Sequence, residues 1–170
     1  MRLVGWMTGL ACFVIAGSAS AQWTARIDPP DVFGNVAASA QSVGYSGGLV
    51  IQCDQKNSLF LAYLIRKKEF ERWDARPIEF LIQLDDQPVR KYAASLRNWN
   101  ANYAAAAISG RRTELVETIR GIAAARTRIN LGWVVEGRQI SVATPVGEAT
   151  TAIDDVIAAC KLDEIGKPRP

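Results

Sequence analysis

Two cysteines separated by most of the chain constrain its fold more than any other feature. Cys53 ends a stretch in which Leu49, Ile51 and Cys53 alternate with Val50 and Gln52. This is the two-residue period of a strand, so the Cys53 thiol is expected to face the core. The second thiol closes an apolar series at helical spacing, which predicts a C-terminal helix with Cys160 on its buried face. That series runs Ala149, Ala152, Ile153, Val156, Ile157 and Cys160.

The first 21 residues have the features of a secretory signal peptide. Arg2 supplies a positive charge, an apolar run from Val4 to Gly17 follows, and Ala19-Ser20-Ala21 is a small-residue cleavage site. The run is shorter than the roughly 20 residues that a spanning helix needs, so no stable membrane span is expected after cleavage. Lipidation at Cys12 is the alternative, which the preceding Gly9-Leu10-Ala11 does not favour.

Export predicts that the two remaining cysteines are oxidised. Disulfides persist in the periplasm and outside the cell, and an even pair of cysteines in such a protein is typical of one bridge. A Cys53–Cys160 disulfide would fasten the C-terminal helix over the sheet. The alternative is two buried free thiols that never meet. Neither residue belongs to a Cys-x-x-Cys pair, so the sequence favours a structural bridge over redox catalysis.

Length and composition limit both the domain count and the available chemistry. Residues 22–160 are enough for one domain with a real core, followed by a polar tail at 161–170 that is expected to fray. The formal charge of +3 is too small for a typical nucleic-acid surface. The chain has no histidine, which excludes histidine-dependent triads and histidine-containing metal sites. No metal or other cofactor is expected.

The hydrophobic pattern predicts an α+β fold. A hairpin is expected from Leu49–Cys53 and Leu59–Ile65, and a further strand from Ile78–Leu84. Thr113 is expected to cap a helix from Glu114 to about Ala125. The alanine-rich stretch from Asn98 to Ile108 fits either a helix or a strand, and its neighbourhood favours a strand. These elements predict an antiparallel sheet or a β-sandwich with two helices packed on it and one disulfide.

The order of these features resembles that of small exported proteins of Gram-negative bacteria. Trp23 is followed by the Leu-x-Ile-x-Cys strand at Leu49–Cys53, by Leu84–Val89, and by Gly147–Ala152, which leads into a helix ending at Ala158-Ala159-Cys160. This layout resembles the invasion-associated locus B group and the periplasmic proteins associated with type VI secretion. The resemblance implies an envelope or interaction protein, with no catalytic site to transfer to this chain.

Two adjacent carboxylates are the most obvious candidates for acid–base chemistry. Asp85 and Asp86 would point to opposite faces of a strand, which is poor geometry for a shared task, and before Gln87-Pro88 they are typical of a turn. Aromatic residues beside arginines suggest binding instead, because both are enriched at interface hot spots. The candidates are Trp99 with Arg97, and Trp73 with Arg72 and Arg76; the alternative is that each tryptophan fills the core.

These observations favour a non-enzymatic periplasmic or secreted protein that binds another envelope or secreted protein. No catalytic residue is expected. Two alternatives stay open. One is a cell-wall glycan hydrolase that uses two carboxylates, such as Asp85 or a glutamate in a cleft, because glycosidases can work without histidine. The other is a carrier with a small-ligand pocket between the sheet and the helices.

Overall fold

A computed structural model describes residues 22–44, 47–56, 58–67, 75–135 and 137–164. These residues form one curled, fully antiparallel sheet of nine strands in the order β1-β2-β3-β4-β7-β6-β5-β8-β9, with two helices. The α+β prediction is therefore confirmed. Of its two alternatives, the structure has the single antiparallel sheet and not the β-sandwich. The strands are β1 (Trp23–Ile27), β2 (Ala38–Val43), β3 (Gly47–Cys53), β4 (Leu59–Arg66), β5 (Arg76–Leu84), β6 (Arg90–Asn98), β7 (Tyr103–Ile108), β8 (Ile129–Val135) and β9 (Arg138–Thr144).

Both helices lie on one face of the sheet and complete a continuous core. Helix α1 spans Arg112–Ala124, and helix α2 spans Ala149–Ala159. The strands alternate as the two-residue period requires, so that Phe80 and Trp133 from adjacent strands stack with ring centroids 5.7 Å apart. Buried side chains from the sheet and from both helices form one hydrophobic cluster between them. The largest buried ones include Trp133, Phe80, Leu49, Ile51, Ile119 and Ile122.

A disulfide between Cys53 and Cys160 fastens the end of helix α2 to the end of strand β3. Both residues are buried, their Cα atoms are 6.3 Å apart, and 107 positions separate them in the chain. The curl of the sheet is held at a second point, where the Trp23 indole N–H donates to the Pro145 carbonyl oxygen at 3.0 Å. Since Pro145 directly follows β9, this bond brings the two edges of the sheet together on the helix side.

The structure departs from the sequence prediction at three places. Strand β1 was not predicted, because four of its five residues are exposed and the segment has no alternating pattern. Arg111, and not Thr113, precedes helix α1, and no side chain caps that helix. The tail does not fray at once, since a short 3-10 helix at Leu162–Glu164 buries Leu162. The predicted signal peptide and residues 165–170 lie outside the described residues.

Candidate functional site

The sheet face opposite the helices carries a small apolar patch of its own. Five residues from β3, β4 and β7 are buried there although neither helix of the described residues covers them, and Phe60 and Tyr103 pack against them. The alanines let neighbouring strands present an almost smooth surface that larger side chains can cover. The buried members are Val50, Ala62, Leu64, Ala105 and Ala107.

An aromatic cluster lies on the same face and consists of Phe60, Trp99 and Arg97. The rings of Phe60 and Trp99 are stacked, with centroids 5.3 Å apart and planes 11° apart. The Arg97 guanidinium carbon lies 4.5 Å from the Phe60 ring centroid, which is cation–π geometry. Trp99 nevertheless keeps 38% of its surface exposed. The cluster is thus a preformed surface in which one ring is held in place and still available to a ligand.

A row of polar side chains crosses strands β1, β2 and β3. Arg26, Ser39 and Gln52 lie directly opposite one another in the register, and Thr24 lies opposite Gln41. Directly paired residues of antiparallel strands project from the same face, so these five side chains form one hydrogen-bonding surface. We refer to Thr24, Arg26, Ser39, Gln41 and Gln52 as the polar ladder.

A cleft of about 400 Å³ lies between the polar ladder and Trp99. Val50 and Leu64 contribute its apolar lining, and Asp28 lies beside the end of β1. The Asp28 carboxylate oxygen is 2.8 Å from the Arg26 guanidinium nitrogen, so the two charges compensate each other. Asp28 is the single carboxylate among the described residues that line this cleft, whereas a two-carboxylate glycosidase needs a facing pair.

The loop between β1 and β2 presents two apolar side chains to solvent in a fixed conformation. Val32 is 94% exposed and Phe33 is 85% exposed. One Asp31 carboxylate oxygen accepts hydrogen bonds from the backbone N–H groups of Phe33 (2.9 Å) and Asn35 (2.8 Å). The Asn35 N–H chiefly holds the pKa of Asp31 below its ordinary value. We call Val32 and Phe33 the loop tip; along the chain it follows Asp28, which lines the cleft.

Of the predicted binding residues, Trp99 and Arg97 lie together in the structure, whereas Arg76 lies apart from them. Trp99 and Arg97 both contact Phe60, as one site. Arg76 is half-buried at the start of β5 and pairs with Leu96, a core residue, so it belongs to the opposite face of the sheet. The other two predicted anchors, Trp73 and Arg72, lie outside the described residues.

Asp85 and Asp86 have structural roles in the turn after β5. The Asp85 carboxylate accepts hydrogen bonds from the backbone N–H groups of Arg126, Thr127 and Arg128. The Thr127 N–H contributes most to the low pKa of Asp85, far below the ordinary value. Asp86 is 2.9 Å from an Arg128 nitrogen. This arrangement bears out the prediction of turn-forming residues.

Sequence reasoning missed Phe60, the polar ladder and the loop tip. The sequence could not assign Phe60 to one face of its strand, because the run from Leu59 to Ile65 is apolar throughout. The ladder depends on β1, which had no strand pattern. One sequence signal could have identified the loop tip: Asp31 and Gly34 flank Val32-Phe33, which is typical of a turn and places both apolar residues at the surface.

No family model matches the chain, and neither curated proteins nor solved structures provide a significant match. Neither helix in the described part of the chain is long and apolar enough to cross a bilayer. Within the same residues, no group of three or more cysteine, aspartate or glutamate side chains is placed to hold a metal ion.

Proposed function

We propose that this protein is a non-enzymatic, exported interaction protein of the bacterial envelope, which binds another envelope or secreted protein through the loop tip. The exposure of Val32 and Phe33 carries this proposal. Val32 and Phe33 are adjacent and form a contiguous apolar surface in water, and exposed apolar patches are typical of interaction sites.

The hydrogen bonds of Asp31 make the loop tip suitable for binding. The loop already has its conformation in the free protein, so little conformational entropy is lost when a partner covers it. Burying a phenylalanine side chain stabilises a complex by about 1.5–3 kcal/mol. Aromatic anchors of this kind are typical of interface hot spots.

The compartment is supported by the disulfide together with the predicted signal peptide. Disulfides are rare in a reducing cytosol and persist in oxidising compartments such as the periplasm. The proposed connection with invasion or with type VI secretion rests on the sequence resemblance alone. Trp99 and Arg97 remain predicted contacts on the neighbouring sheet face.

Quantitative capture from periplasmic extract tests the loop tip. The protein, purified after export, is immobilised as wild type, as Phe33→Ser and as Val89→Ser. Val89 is the matched control because it is an apolar residue in another exposed loop, with 51% of its surface accessible. We expect one protein to be enriched by the wild type and by Val89→Ser, and its retention to fall about 10- to 100-fold with Phe33→Ser.

The proposal is wrong if Phe33→Ser, with an unchanged circular dichroism spectrum, retains the same proteins as the wild type. A Trp99→Ala sample in the same series shows whether the aromatic cluster belongs to this interface.

A further inference from the structure

The cleft between the polar ladder and Trp99 has the chemistry of a ligand site that is distinct from the loop tip. We propose that it binds a neutral saccharide. Its volume of about 400 Å³ falls within the range of small-molecule sites, which combine an aromatic or apolar wall with a few fixed polar groups.

The polar ladder suits a ligand that is rich in hydroxyl groups. Gln41 and Gln52 each offer an amide that donates and accepts, and Thr24 and Ser39 each offer a hydroxyl that does the same. A sugar hydroxyl also donates and accepts, so it can be satisfied at either kind of group. The register fixes the spacing of these side chains, because all four come from directly paired positions, Thr24 with Gln41 and Ser39 with Gln52.

Trp99 supplies the apolar wall. Its ring stacks on Phe60 and is therefore held in one plane, while its exposed part lines the cleft. A pyranose ring has an apolar face of C–H groups and carries its hydroxyls around the edge. Such a ring would place its apolar face on the indole and its hydroxyls toward the ladder, which leaves few groups unsatisfied.

Charge and backbone geometry argue against other ligand classes. The Arg26 guanidinium is already 2.8 Å from the Asp28 carboxylate, so the cleft offers a phosphate no uncompensated cation among its described lining residues. An extended peptide is recognised chiefly through main-chain hydrogen bonds at a sheet edge. Here the cleft lies over the face of β1 to β3, where β1 pairs with β2 and β2 pairs with β3 through their main-chain groups.

Titration with neutral trisaccharides tests this site directly. The probes are chitotriose, cellotriose and maltotriose, with trialanine and inorganic phosphate as ligands of other classes, followed by calorimetry and by tryptophan fluorescence. The variants are Trp99→Ala and the double variant Gln41→Ala/Gln52→Ala. Val134→Ala is the control, because Val134 is a 41% exposed apolar residue on β8 that does not line the cleft. Near-UV circular dichroism verifies the fold of each protein.

We expect at least one trisaccharide to bind the wild type, and its affinity to fall about tenfold or more in both cleft variants but not in Val134→Ala. The double glutamine variant keeps the test valid if Trp99→Ala misfolds. The proposal is overturned if no trisaccharide binds at about 10 mM, if both cleft variants bind as the wild type does, or if phosphate or trialanine binds instead. The capture test is decided by Phe33→Ser, and Phe33 does not line the cleft, so failure of saccharide binding does not decide the proposed function.

Discussion

Loss of the Cys53–Cys160 disulfide should remove a large part of the stability of this protein. In the chain-entropy model, a crosslink lowers the entropy of the unfolded chain by an amount that grows with the logarithm of the loop length. The two cysteines are 107 positions apart. For a loop of this length the model gives about 5 kcal/mol at 25 °C, against a total of roughly 5–15 kcal/mol for an ordinary domain.

Urea unfolding of three samples measures this effect. The samples are oxidised wild type, wild type reduced with dithiothreitol, and Cys53→Ala/Cys160→Ala. We expect the free energy of unfolding to fall by about 4–5 kcal/mol in both the reduced wild type and the double alanine variant. Their melting temperatures should fall by about 10–20 °C. The reduced wild type separates the crosslink from packing, because it keeps both buried sulfur atoms in place.

A fall of less than about 1 kcal/mol in the reduced protein, with an unchanged denaturant slope, would refute the reasoning. The helix would then be held on the sheet by its apolar contacts alone. If the alanine variant loses stability and the reduced wild type does not, the stabilisation comes from packing of the sulfur atoms and not from the crosslink.

Three further predictions concern single side chains. Asp85→Asn should lower the melting temperature at pH 7; because the pKa of Asp85 is lowered in the fold, the advantage of the wild type should shrink as pH falls below about 4. Gly47→Ala should lower the free energy of unfolding in urea by about 2 kcal/mol or more, because the added Cβ would collide with the Leu64 carbonyl oxygen. Gly137→Ala is the comparison: its Cβ would meet open space, and only the positive φ should lower the free energy of unfolding, by about 1 kcal/mol. Asp31→Ala should weaken partner capture without unfolding the protein, because the loop loses the hydrogen bonds that Asp31 accepts. Hydrogen exchange of the Asn35 amide should become faster, and an unchanged exchange rate would contradict this prediction.

The parts of the fold that were predictable are those in which one side of an element is buried. Leu49, Ile51 and Cys53 alternate with the neighbouring residues, and the apolar stripe of helix α2 places Cys160 on the same core, so the disulfide followed from two local patterns. The run Ala104 to Ala107 has no alternation, since both faces of β7 are buried, and only its neighbourhood indicated a strand.

The candidate site was less predictable because it depends on the register between distant strands. Trp99 and Arg97 were identified as surface anchors, but their contact with Phe60 requires the pairing of β4 with β7 and of β7 with β6. The polar ladder likewise appears only when β1 and β2 are aligned. Phe33 was passed over because aromatic residues are more often found in cores, and its exposure depends on the conformation that Asp31 imposes.

Photo-crosslinking in living cells tests the central claim, recognition of a partner protein through the loop tip, most directly. A benzophenone amino acid is introduced at position 33 and, as the control, at position 89. We predict that a single crosslinked species, identified by mass spectrometry as another envelope or secreted protein, forms from position 33 and is absent from position 89. The same weak products from both positions, or none from position 33 at normal abundance, would contradict the account.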